Sequence, residues 1–136
     1  MNPRVLIIDD EVPILNGIKL NLGRAFDLTL ANGGEDALKA VEEDEPFEVV
    51  VSDMRMPGMT GVEVLAKIKS IHPTIQTILL TGHADFEFGG PQALQSGQLF
   101  RILSKPCPPN KLREAIEAGV REKKRKDAEK EASAES

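Results

Sequence analysis

The chain has no tryptophan and no tyrosine, and only 4% of its residues are aromatic. That scarcity argues against a flavin site, which needs aromatic rings to stack on the isoalloxazine. A single cysteine, Cys107, rules out an internal disulfide and fits a reducing, cytoplasmic setting. With no histidine near it in sequence, Cys107 reads as a small buried or half-buried hydrophobe rather than a nucleophile. No apolar run approaches the roughly 18–20 residues of a membrane span, and the N-terminus lacks a signal-peptide core with a cleavage site. A formal net charge of −5 disfavours nucleic-acid binding by general electrostatics. Neither a membrane nor a nucleic acid is therefore expected as a direct partner.

What is present is enough for one folded domain. The chain has 136 residues, of which 40% are hydrophobic. Val5-Leu6-Ile7-Ile8, Val49-Val50-Val51 and Ile78-Leu79-Leu80 are continuous apolar strings, the mark of strands covered on both faces. Phe26-Asp27-Leu28-Thr29-Leu30 alternates, and Leu99-Phe100-Arg101-Ile102-Leu103 carries a charge; both suit sheet edges. Helical spacing lies between them. Leu15, Ile18 and Leu22 form one stripe after Pro13, and Ala37, Leu38 and Val41 another after Gly33-Gly34. A third comprises Val64, Leu65, Ile68 and Ile71, closed by Pro73, and Leu112, Ile116 and Val120 make the last. From Phe86 to Gln98 the signal is weak, because Gly89-Gly90-Pro91 disfavours a helix interior. Strands alternating with helices predict an α/β fold: a five-stranded parallel sheet, doubly wound, in the order 2-1-3-4-5. The domain is expected over residues 1–120. Residues 121–136 lack Leu, Ile, Val and Phe and read as a polar charged tail or the start of a linker, a solvated helix end rather than a coiled coil.

In such a sheet the carboxyl ends of the strands share one rim, where ligands bind. The first strand runs into Asp9-Asp10, the third ends in Ser52-Asp53, the fourth in Thr81-Gly82 and the fifth in Ser104-Lys105-Pro106. Taken singly, each Asp is explained equally well as a helix or turn cap. Together they put three carboxylates, a hydroxyl and an ammonium in one crevice. Packed carboxylates raise one another's pKa values unless a cation compensates them. An all-oxygen ligand set on an open rim points to Mg²⁺ rather than to zinc or a calcium cage. Mg²⁺ beside a carboxylate, a Lys and a Thr is equipment for phosphoryl transfer, with Asp53 able to attack phosphorus and form an acyl phosphate.

Asp9-Asp10, Asp53 followed by Met56-Pro57-Gly58, Thr81 and Lys105-Pro106 together resemble the signature of a response-regulator receiver domain, over about residues 3–120. The resemblance implies a flavodoxin-like fold, Asp53 as phosphoacceptor, and Mg²⁺ held by Asp10, Asp53 and the Arg55 carbonyl, with Asp9 acting through water. It also implies phosphoryl contacts from Thr81 and Lys105, a cis Lys105–Pro106 bond, and a histidine kinase or phosphotransfer protein as donor. A downstream effector domain or a homodimer would read the fourth helix, fifth strand and fifth helix. Such a domain phosphorylates and dephosphorylates itself and is not a turnover enzyme. The stretch Phe100–Pro109 is similar to receivers that precede HD-GYP cyclic di-GMP phosphodiesterase domains.

Some positions depart from the family pattern. Ile102 stands where the family has Tyr or Phe, while Phe100 sits two residues earlier, and Gly82 replaces a usual Ala. His83 falls where the family tunes dephosphorylation, and His72 reads as a helix-end cation. Gly89-Gly90-Pro91 predicts a short or broken fourth helix. Two other readings remain open: an interaction module not regulated by phosphorylation, and a small Mg²⁺-dependent phosphohydrolase. The second lacks the DxDxT pattern at Asp9-Asp10-Glu11-Val12-Pro13.

Overall fold

The computed structural model describes residues 2–82 and 90–135. In chain order its elements are β1 (Arg4–Ile8), α1 (Val12–Leu22), β2 (Asp27–Ala31), α2 (Gly34–Glu43) and β3 (Val49–Asp53). Then follow α3 (Gly61–Ile71), β4 (Gln76–Thr81), α4 (Gly90–Gln95), β5 (Arg101–Ser104) and α5 (Pro109–Glu135). The strands form a single parallel sheet in the order β2-β1-β3-β4-β5, as the alternation of patterns predicts.

The continuous apolar strings are buried because helices cover both faces of the sheet. Side chains alternate across a strand, so Val5, Ile7, Val49, Val51, Ile78 and Leu80 face α1 and α5, meeting Leu15, Leu22, Leu112 and Ile116. Leu6, Ile8, Val50 and Leu79 face the other way, onto Val41 of α2, Leu65 and Ile68 of α3 and Ala93 of α4. The edge strands β2 and β5 are the least buried, which matches their mixed sequences.

The expectation of a short fourth helix holds. Gly90 and Pro91 open α4 rather than interrupt it; in a first turn the proline's missing N–H costs no hydrogen bond. The helix is short, six residues. His83 and Phe86 to Gly89 lie outside the described residues. In the tail, α5 passes Val120 without a break and runs 27 residues in all. It does so on charge rather than on apolar contact, through Lys123–Asp127 at 2.6 Å, Arg125–Glu122 at 2.6 Å and Arg125–Glu129 at 3.1 Å. These are i,i+3 and i,i+4 pairs, the spacing that supports an exposed helix.

Ile116 is fully buried against the sheet, whereas Leu20 on α1 is 87% exposed. Ile116→Ala is expected to lower unfolding free energy by about 2–5 kcal/mol, and Leu20→Ala to change it by no more than about 0.5 kcal/mol. Urea denaturation of the two variants checks this.

Candidate functional site

The rim of the sheet is built by pairing that continues just past the strands. Asp9 N–H donates to the Ala31 carbonyl at 3.1 Å, Met54 N–H to Leu80 at 3.1 Å, and Lys105 N–H to Thr81 at 2.9 Å. These bonds set Asp9, Asp53 and Lys105 side by side at the carboxyl ends of β1, β3 and β5. One oxygen from each of Asp9, Asp10 and Asp53 lies within 4.8 Å of the others. The Lys105 ammonium is 2.6 Å from Asp53 Oδ1 and 3.9 Å from Asp9 Oδ2. The Lys105–Pro106 peptide bond is cis, the isomer the resemblance implies.

Asp9 is the most constrained of the three. Its Oδ1 accepts from Glu11 N–H at 2.9 Å, beside the start of α1, where backbone donors favour an anion. Among the described residues, its Oδ2 is buried with no hydrogen-bond partner. Burial pushes the Asp9 carboxyl above its usual range; the Glu11 N–H opposes this, the Asp53 charge adds to it, Lys105 opposes it and Asp10 adds again. Three carboxylates against one ammonium leave a formal deficit of two positive charges. An orphaned buried carboxylate oxygen in an all-oxygen cluster is what a hard divalent cation satisfies, so these residues fit Mg²⁺.

The remaining predicted residues sit around this cluster. Thr81 is buried at the end of β4, one residue beyond the Asp53–Leu80 pair. Its hydroxyl donates to the Gly82 carbonyl at 3.0 Å, not to a carboxylate. Arg55 is exposed on the loop after β3. Ile102 packs on the α3 side of the sheet, whereas Phe100 packs on the α1–α5 side. Phe100 therefore cannot stand in for the missing aromatic. Cys107 is half-buried, and burial raises its thiol pKa despite nearby Lys111. His72 caps the C-terminal end of α3.

Gly61 was not singled out by the sequence reading. A Cβ there would lie 2.2 Å from the Asp53 carbonyl oxygen and 2.8 Å from Leu79 Cδ1, so only glycine lets α3 start against the Asp53 backbone. Gly61 N–H donates to Met54 at 2.8 Å, and buried Ser52 donates its hydroxyl to the Asp53 carbonyl at 2.9 Å. The signal was available: Thr60 and Glu63 form a capping box that marks Gly61 as the first helical residue.

The profile of the response regulator receiver domain matches residues 5–117. This chain belongs to the response-regulator receiver family. The transcriptional regulatory protein YesN of Bacillus subtilis is 31% identical over 93% of this chain and 35% of its own length. A solved structure described as adenylate cyclase from Rhodopirellula baltica is 36% identical, covering 100% of both chains with a TM-score of 0.95. The signal receiver domain of an HD domain-containing protein from Pseudomonas fluorescens is 28% identical, with a TM-score of 0.82 over 90% of this chain and 98% of that one. The receiver thus spans about a third of YesN and half of another curated relative, the regulator PhoP of Bacillus subtilis.

A carboxyl with a raised pKa binds protons more readily folded than unfolded. The stability it contributes is complete below its ordinary value near 3.8 and is lost as pH rises through the folded value. Ionised Asp9 is therefore a cost to the metal-free receiver at neutral pH. Asp9→Asn is expected to raise the melting temperature without Mg²⁺ at pH 7, with the gain shrinking in acid, and to weaken Mg²⁺ binding roughly 10–100-fold. Thermal melts with and without MgCl₂ measure both.

Proposed function

We propose that this receiver is the phosphoacceptor of a two-component system, taking a phosphoryl group on Asp53 from a histidine kinase or phosphotransfer protein. The observation that carries the reading is the Asp53 carboxylate held 2.6 Å from the Lys105 ammonium and clustered with Asp9 and Asp10. Asp10, Asp53 and the Arg55 carbonyl would hold Mg²⁺, with Asp9 acting through water. When bound, the ion neutralises charge on the transferred group. An Asp53 oxygen attacks phosphorus as the bond from phosphorus to the donor nitrogen breaks, and the leaving imidazole takes a proton. Lys105 exchanges its ion pair with Asp53 for one to a phosphoryl oxygen. Thr81 turns its hydroxyl from the Gly82 carbonyl to another. Hydrolysis of the acyl phosphate resets the domain, which therefore works as a switch and not as a turnover enzyme.

The switch would bias the face formed by α4, β5 and α5, read by an effector domain or a second copy. Two solved relatives bear the names of an adenylate cyclase and an HD domain-containing protein, and outputs of that kind are part of the proposal. So is a cytoplasmic location; no helix among the described residues is long and apolar enough to cross a membrane. Ile102 favours a second reading, an interaction module whose contacts ignore phosphorylation. Unchanged oligomeric state and partner binding on adding Mg²⁺ and beryllofluoride would support it.

Acetyl phosphate with Mg²⁺ is expected to add one phosphoryl group to the protein, and Asp53→Asn to abolish the addition. Intact-mass spectrometry reads this directly, and labelling that persists in Asp53→Asn would defeat the assignment. For the protein donor, an apolar groove of about 450 Å³ lined by Ile14, Ile18, Leu80, Lys105, Pro106 and Leu112 opens beside the site. Ile14 is 39% exposed there. Ile14→Asp is expected to slow transfer from a kinase roughly tenfold or more and to leave acetyl phosphate labelling unchanged, by phosphotransfer assay.

A further inference from the structure

The strand that carries Asp53 loses one of its two neighbours just before reaching it. β1 pairs with β3 up to Ile8 and Ser52, whereas pairing with β4 continues through Asp53 and Leu80. Past Ile8 the chain of β1 turns to its other neighbour, with Asp9 N–H on the Ala31 carbonyl. The sheet therefore holds the peptide joining Asp53 to Met54 from one side, through Met54 N–H on the Leu80 carbonyl at 3.1 Å. In a trans peptide the carbonyl points opposite to the N–H. The Asp53 carbonyl thus faces away from β4, toward the side where β1 has ended.

Ser52 supplies the restraint on that side. It is fully buried, and its hydroxyl donates to the Asp53 carbonyl at 2.9 Å. The same oxygen lies against Gly61, where a Cβ would be 2.2 Å away, which leaves little room for water. A buried hydroxyl needs an acceptor and a buried carbonyl needs a donor; here each meets the other. The next carbonyl along, that of Met54, accepts from Gly61 N–H at 2.8 Å. The Asp53 Cα is the pivot of this arrangement. From it leave both the pinned peptide and the carboxylate, whose Oδ1 lies 2.6 Å from the Lys105 ammonium. Turning the peptide swings the carboxylate.

We propose that Ser52 is a positioning residue for phosphoryl transfer: its hydroxyl fixes the Asp53–Met54 peptide, and so the angle at which the Asp53 carboxylate meets phosphorus. The role rests on Asp53 being the phosphoacceptor. In-line attack tolerates little misplacement, and a shift of about 1 Å in a reacting group can cost roughly 100-fold in rate. Without the hydroxyl, the peptide rocks about its remaining bond to Leu80, and the carboxylate spends less time in line.

Three variants of the full chain test this. Ser52→Ala removes the donor, and Ser52→Cys keeps nearly the same shape with a weaker one. Val50→Ala trims a buried apolar side chain two residues earlier, on the same face of β3. Exchange of the Met54 amide, followed without Mg²⁺ or a phosphoryl donor, is expected to quicken roughly tenfold in Ser52→Ala and by less in Ser52→Cys. The initial rate of labelling by acetyl phosphate at saturating Mg²⁺ is expected to fall roughly tenfold in Ser52→Ala and by less in Ser52→Cys. It is expected to hold in Val50→Ala, although that change lowers the melting temperature at least as far. Wild-type labelling in Ser52→Ala, or in Ser52→Cys should Ser52→Ala not fold, would overturn the role. So would an equal slowing in Val50→Ala, since lost stability alone would then explain the effect. A wild type that acetyl phosphate does not label would sink the phosphoacceptor reading instead. Unchanged Met54 exchange overturns the positioning role whether or not Asp53 is labelled, which keeps the two failures apart.

Discussion

Everything at the rim of this sheet follows from the repulsion among Asp9, Asp10 and Asp53. Side chains of like charge do not gather unless something stronger holds their backbones, and here it is the register of a parallel sheet buried on both faces. The hydrogen bonds that continue one residue past β1, β3 and β5 hold the backbones next to Asp9, Asp53 and Lys105 side by side. Lys105 relieves part of the repulsion, yet among the described residues one buried Asp9 oxygen has no hydrogen-bond partner. The fold stores an electrostatic deficit that a divalent cation is suited to relieve.

Holding that deficit requires the core to be dense and the loops to be close. Val49, Val50 and Val51 of β3 are essentially inaccessible to solvent, so the strand ending in Asp53 cannot shift to lessen the repulsion. Gly61 adds a second restraint, since α3 begins in van der Waals contact with the Asp53 backbone.

Much of this was legible in the order of residues. Three continuous apolar strings separated by helical stripes specify a parallel sheet covered on both sides, and the polar residues at the string ends identify the rim. Gly90-Pro91 marked the fourth helix as short, and α4 runs only six residues. In the tail, where no large aliphatic side chain remains, the helix continues on i,i+3 and i,i+4 ion pairs of its own. The closeness of Gly61 to Asp53 is an approach between two elements; the capping residues Thr60 and Glu63 announce a helix start but not what it starts against.

The sequence by itself determined the pattern of strands and helices, the strand order and the identity of the groups on the rim. It could do so because periodicity and chain connectivity are local properties that the right-handed crossover rule converts into topology. Only the tertiary structure decided which oxygen of Asp9 lacks a hydrogen bond among the described residues, on which side of the sheet Phe100 packs, and that Glu122, Lys123, Lys126 and Asp127 are half-buried. Those outcomes depend on distances between segments remote in sequence, where burial and charge are settled jointly by all the elements that meet.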